Sequence, residues 1–79
     1  MEKLENLLSY ILKGLVEKQE EVRITYELID DTIIFKVNVA EGEMGRVIGK
    51  NGLTANAIRG VMQAAGVKDK LNVNVEFLD

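Results

Sequence analysis

The stretch Arg46-Val47-Ile48-Gly49-Lys50-Asn51-Gly52 decides how this chain is organised, because it places a short basic loop between two apolar helical patterns. Glycines at both ends of the loop allow a tight turn and a close approach to another backbone, since neither carries a Cβ. Lys50 adds a positive charge at the tip. The next helix begins at once and directs its free N–H groups into the same space, as anion-binding helix ends do. These features suit a sugar-phosphate backbone as ligand.

Hydrophobic periodicity on both sides of the loop predicts six elements in the order αββααβ. Apolar residues recur at i, i+3 and i+4 in the helical segments and alternate with polar residues in the strand segments. The helical segments are residues 2–18, 41–48 and 53–65. The strand segments are residues 22–28, 33–39 and 71–77, with turn residues at Asp30-Asp31 between the first two. The pattern predicts an α+β fold of one domain, residues 1–79, with helices covering one face of a three-stranded sheet.

Three finer expectations concern the helix ends and faces. Gly66 followed by Val67 is typical of a helix C-cap with its apolar contact. Glu41 and Glu43 are suited to the positive end of the short helix. Gly60, within a helix, either allows close packing against another chain or is a tolerated defect costing about 1 kcal/mol. The residues expected on the buried side of the last helix are Leu53, Ala57, Ile58, Val61, Met62 and Ala65.

The composition excludes several classes of function. The 79 residues include no cysteine and no histidine, so there is no disulfide, no thiolate zinc site and no histidine general base. No nucleophile–base pair is recognisable, and we expect a protein that is not an enzyme and has no metal, cofactor or small-molecule substrate. The N-terminal apolar residues alternate with charges, which predicts neither a signal peptide nor a membrane span. We expect a cytoplasmic protein without a membrane partner.

Charge is distributed unevenly although the net charge is only −3. Residues 1–44 contain ten acidic and five basic residues, whereas residues 45–70 contain five basic residues and a single acid. Either this is chance in a short chain, or positive charge is concentrated around the glycine loop to attract an anionic partner. The small number of cations favours a footprint with few phosphate contacts over an extended duplex-binding surface.

Known phosphate-binding motifs fit the loop poorly. Gly45 and Gly49 leave one residue too few between them for a Walker loop, and Asn51 occupies the place of its magnesium-binding Ser or Thr. The dinucleotide fingerprint lacks its first glycine, which should precede Gly49 by two residues. A helix-turn-helix and a simple corner between two helices remain open from the spacing alone.

The whole pattern resembles the KH domains. The residues that carry this resemblance are Val47 to Gly52, the triplet Ala57-Ile58-Arg59, and the helix and hairpin that precede them. Their order is similar to the type II, bacterial arrangement, and the chain as a whole resembles the small stand-alone bacterial KH proteins. A GxxG sequence alone is weak support, but the apolar residues before it, the triplet, the length and the element order together are specific.

The resemblance implies binding of single-stranded RNA, with the GxxG loop gripping the backbone of about four nucleotides. The N–H groups from Lys50 to about Thr54 would face phosphate, and Val47, Ile48 and Ile58 would form the floor of a groove for bases. Arg46 and Arg59 are either contacts to neighbouring phosphates or solvated surface charges. The candidate RNA-binding residues are Arg46, Val47, Ile48, Gly49, Lys50, Asn51, Gly52, Thr54 and Arg59.

The sequence differs from typical KH proteins in its basic residues, and the resemblance also implies a protein partner. Leu53 and Asn56 stand where such proteins often carry basic residues, so we expect modest affinity and a shallow salt dependence. No aromatic residue lies near the groove to stack on bases. The resemblance also implies an RNA chaperone or post-transcriptional regulator that forms a homodimer or pairs with a larger KH protein of the KhpB/Jag type. Pairing would supply avidity to a small binding unit.

Overall fold

A computed structural model describes residues 2–78 and contains the elements in the predicted order, helix-strand-strand-helix-helix-strand. The helices are α1 (Glu2–Lys13), α2 (Met44–Ile48) and α3 (Leu53–Val67). The strands are β1 (Arg23–Ile29), β2 (Thr32–Asn38) and β3 (Asn72–Phe77), and single 3-10 turns lie at Gln19–Glu21 and Lys50–Gly52. The predicted α+β class and the αββααβ order are confirmed. No helix of residues 2–78 is long and apolar enough to cross a membrane.

Three helix boundaries differ from the predicted ones for local reasons. Helix α1 ends at Lys13 rather than at residue 18, and Gly14, a poor helix former, follows directly. Helix α2 begins at Met44 rather than at residue 41, since Gly42 has a φ of +86° that interrupts a right-handed helix. Helix α3 continues two residues beyond its predicted end, to Val67.

The sheet has the order β1-β2-β3 and is mixed. Strands β1 and β2 form an antiparallel hairpin, whereas β2 and β3 are parallel. Parallel neighbours require a crossover connection, which here consists of α2, the glycine loop and α3. The glycine loop therefore lies in the connection that joins the central strand to β3.

The hydrophobic core lies between one face of this sheet and the helices. Alternate residues of β2 (Ile33, Phe35 and Val37) are fully buried. They meet Leu4, Leu8, Leu12 and Val16 from α1 and the turn after it, Val47 from α2, Ile58 and Met62 from α3, and Val73 and Val75 from β3. The edge strand β1 is less covered than predicted, since Tyr26 and Leu28 keep nearly half of their surface exposed.

The buried face of α3 is rotated relative to the predicted one. The buried residues are Ala55, Ile58, Met62 and Gly66, whereas Leu53, Ala57 and Val61 are exposed. The predicted cap at Gly66 is wrong, because this glycine lies inside the helix and against β3. A Cβ on Gly66 would come within 2.5 Å of Val73 Cγ2 and 2.9 Å of the Leu71 carbonyl oxygen. The close packing of helix on strand thus sets the rotation of α3 about its axis.

Candidate nucleic-acid interface

The GxxG loop, residues 49–52, joins α2 to α3 through three residues with positive φ. Gly49 has φ/ψ of 76°/174°, Asn51 of 57°/24° and Gly52 of 76°/12°. Gly49 and Gly52 occupy regions that favour glycine, and asparagine is among the few other residues that readily adopt the left-handed helical region. The turn is closed by a 3.2 Å hydrogen bond from the Gly52 N–H to the Gly49 carbonyl oxygen.

Gly49 is required by contact as well as by conformation. A Cβ at this position would lie 2.3 Å from the Thr54 hydroxyl oxygen and 2.9 Å from its backbone nitrogen. Thr54 therefore packs directly against the Gly49 backbone and braces the loop from the first turn of α3. A residue with a side chain at Gly49 would displace this turn.

The tip of the loop carries backbone donors that have no acceptor within residues 2–78. Lys50 and Asn51 are exposed, and within residues 2–78 neither backbone N–H is paired with a hydrogen-bond acceptor. The N-terminal end of the 15-residue helix α3 directly follows them and contributes its partial positive charge. The loop thus combines free amides, a helix terminus and one ammonium group, a combination that favours an anionic ligand.

Of the two apolar residues before the loop, one lies in the core. Val47 has no exposed surface, which corrects the expectation that it forms a groove floor in contact with bases. Its role is to attach α2 to the core, because it is the buried residue of that helix. Ile48 is half-buried beside the loop and is the only one of the pair with surface available to a ligand. Ile58 on α3, the third residue expected in the groove floor, is buried as well, so the expectation is corrected for it too.

Arg46 is neither a free cation nor a simple solvated charge. Its guanidinium Nη2 donates to Glu17 Oε1 at 2.6 Å, and its Nε lies 3.7 Å from Glu43 Oε1. Both carboxylates offset the positive charge that the sequence places next to the loop. The local charge available to an anionic ligand is therefore smaller than the residue count around the loop suggests.

Glu43 forms a contact that sequence reasoning missed. Its carboxylate is buried and accepts the backbone N–H of Glu17 at 2.7 Å and that of Lys18 at 3.1 Å. The bond from Glu17, aided by that from Lys18 and by the charge of Arg46, lowers the pKa of Glu43 despite its burial. The predicted interaction with the start of α2 is replaced by contacts to a segment 25 residues earlier in the chain, so only the identity of the acid hinted at it.

Arg59 lies on α3 against the free edge of β3. Its Nε donates to the Val75 carbonyl oxygen at 3.1 Å, and its Nη1 donates to Asn56 Oδ1 at 3.1 Å. The guanidinium carbon lies 5.2 Å from the centre of the Phe77 ring, a cation–π distance. These contacts hold Arg59 at the sheet edge while leaving several of its five N–H donors uncommitted.

A second surface, which we call the α1–α3 face, is apolar and adjoins the loop. It consists of Tyr10, Ile11 and Leu15 around the end of α1 and Thr54, Ala57, Ile58 and Val61 on α3, and includes a shallow groove of about 270 Å³. Tyr10 is 81% exposed and Val61 is 48% exposed. Thr54 lies on this face and also packs against Gly49, so it connects the face to the loop.

The mixed sheet, the helices on one face and the GxxG loop between α2 and α3 define a type II KH domain. Comparison with known sequences agrees: the sequence model described as KhpA/KhpB, KH domain matches residues 5–77. The chain therefore belongs to the KhpA/KhpB KH-domain family.

Several similar proteins carry the name RNA-binding protein KhpA. The protein of Chlamydia trachomatis serovar D is 37% identical over 96% of this chain and 97% of its own length. The proteins of Clostridium perfringens and Listeria monocytogenes serovar 1/2a are each 40% identical, over 95% and 96% of this chain and all of their own lengths. The resemblance found in the sequence is confirmed at the level of the family.

Proposed function

We propose that this protein is a non-catalytic binder of single-stranded RNA and that the GxxG loop grips the RNA backbone. The observation that carries the proposal is the exposed pair of unpaired amides at Lys50 and Asn51, directly before α3. Relatives of nearly the same length are named RNA-binding proteins, which supports the same ligand here. The 79 residues would act as one domain, in the cytoplasm, where bacterial cells hold their RNA.

The remaining candidate residues have distinct roles in this proposal. Gly49 and Gly52 provide the backbone conformation, Thr54 braces it, and Lys50 supplies charge. Ile48 offers apolar surface beside the loop, and Arg59 directs its uncommitted donors along the edge of β3. Val47 and Arg46 act indirectly, the first from the core and the second within its ion pairs. Because Lys50 supplies the charge at the loop tip while Arg46 is ion-paired, we expect weak dependence on sequence and a shallow dependence on salt.

The double variant K50D/N51D tests the loop. Two carboxylates at the tip should repel phosphate and abolish retention of a labelled oligouridine in fluorescence anisotropy, while circular dichroism shows an intact fold. The matched control is K68D/N72D, which makes the same change of charge at exposed positions beyond the other end of α3. Equal binding by K50D/N51D and K68D/N72D would remove the loop from the mechanism.

We propose as a second function that the α1–α3 face pairs with a second copy of this chain or with a KH protein of the KhpB/Jag type. The supporting observation is the exposed apolar surface of this face, on which Tyr10 is 81% and Val61 is 48% exposed. Such a pair would raise RNA affinity through avidity and would suit an RNA chaperone or regulator.

The oligomeric state tests this second function. Val61→Glu places a charge in the apolar groove and should shift the mass measured across a dilution series towards that of the monomer. Val67→Glu is the control, because Val67 is 71% exposed on another side of the same helix. A wild-type protein that remains monomeric at every concentration, alone and with a KhpB/Jag-type partner, would exclude pairing through this face.

A further inference from the structure

A buried carboxylate links two segments of the chain immediately before the GxxG loop. Glu43 precedes α2 and is only 8% exposed. Its two oxygens accept the N–H groups of Glu17 and Lys18, in the connection between α1 and β1. Charge-assisted bonds of this kind are about twice as strong as bonds between neutral groups. The contact therefore fixes the start of α2 relative to that connection.

Helix α2 depends on this contact because it is too short to be stable without tertiary contacts. Helix α2 has five residues, and isolated helices of this length are not stable in water. It is held by Glu43 at its start and by buried Val47 near its end, with the half-buried side chains of Met44 and Ile48 also packed against the core. The next residue after α2 is Gly49, whose N–H donates to the Gly45 carbonyl oxygen at 2.9 Å. A rotation of α2 would therefore be transmitted directly to the loop.

We infer that Glu43 is a positioning residue for RNA binding: its carboxylate holds α2 in the orientation that directs the Lys50 and Asn51 amides outward. This inference rests on the proposed function of the loop. Without both acceptor oxygens, α2 would occupy several orientations, and only a fraction of molecules would present the loop correctly. Apparent affinity falls in proportion to that fraction.

Loss of positioning and loss of charge at Glu43 predict opposite changes in RNA affinity. Glu43 carries negative charge near a site that would bind a polyanion, so removing the charge alone should strengthen binding. Loss of positioning should instead weaken it. Glu43→Gln keeps the size of the side chain but offers an NH₂ group where the N–H of Glu17 or Lys18 needs an acceptor. The direction of the change in affinity therefore separates the two effects.

Glu41→Gln is the matched control. Glu41 is exposed two residues earlier, and its substitution removes the same charge without touching the buried contact. With a labelled oligouridine and both variants fully folded, we expect E43Q to bind about 2- to 30-fold more weakly than wild type. E41Q should bind as well as wild type or slightly better. Glu43→Asp, which keeps the charge but not the reach to both donors, should lie between them.

A second measurement does not depend on RNA. In the free protein, E43Q should shift the amide resonances of residues 49–52, whereas E41Q should leave them in place. Binding by E43Q as tight as that by E41Q, or unchanged loop resonances in E43Q, would overturn the inference. If E43Q does not fold, E43D provides the same comparison. Failure of the loop proposal itself would appear separately, as K50D/N51D binding RNA as well as K68D/N72D does.

Discussion

Replacing Gly66 by alanine is expected to destabilise this protein, although alanine is the better helix former. The propensity gain within a helix is about 1 kcal/mol. This gain is opposed by a steric clash, because the Cβ of alanine would lie 2.5 Å from the Val73 side chain and 2.9 Å from the Leu71 carbonyl oxygen. Val73 is buried and stiff, and Leu71 is held by a 3.0 Å bond from its N–H to the Gly66 carbonyl oxygen. Overpacking against such neighbours costs about 3 kcal/mol, so we expect a net loss of about 2 kcal/mol.

The same substitution at Gly60 provides the comparison. Gly60 lies six residues earlier in the same helix, and a Cβ there would meet nothing within 4 Å. Gly60→Ala should therefore stabilise the folded chain by about 1 kcal/mol. Urea unfolding followed by circular dichroism, at protein concentrations low enough to avoid association, measures both free energies with a common m-value. A Gly66→Ala variant as stable as Gly60→Ala would refute the close packing of Gly66 against β3.

Three further outcomes follow from other contacts. Gly49→Ala should lower both stability and RNA affinity, measured by urea unfolding and anisotropy, because its φ of +76° and its neighbours leave no space for a methyl group. The pKa of Glu43 is lowered in the folded protein, so the ionised carboxylate contributes to stability above its ordinary pKa of 4.5, and this contribution is lost as the pH falls through the lowered pKa. The free energy of unfolding of wild type should therefore exceed that of E43Q near neutral pH, and the difference should disappear in acid. Arg59→Lys should cost about 1 kcal/mol in urea unfolding, since lysine cannot reproduce the bond to the Val75 carbonyl oxygen and the ring contact together.

The sequence allowed the element order and the loop to be predicted because both depend on local patterns. The alternation around Phe35 and the spacing of Gly49 and Gly52 are visible within a few residues. The rotation of α3 was not predictable in this way, since exposed Val61 is as apolar as the buried Met62 beside it. The hydrogen bond between the Glu17 N–H and the Glu43 carboxylate joins residues 26 positions apart, and the periodic spacing of apolar residues does not indicate such a pair.

The parallel pairing of β2 with β3 has a consequence for protein synthesis. A ribosome adds about 5–20 residues per second, so Phe77 follows Gly52 after roughly one to five seconds. During that interval the nascent chain already contains the loop but lacks the strand whose packing against Gly66 holds α3 in place. A chain that ends before β3 is complete therefore lacks the contact that fixes α3, and the GxxG loop at the start of that helix does not yet have its final geometry.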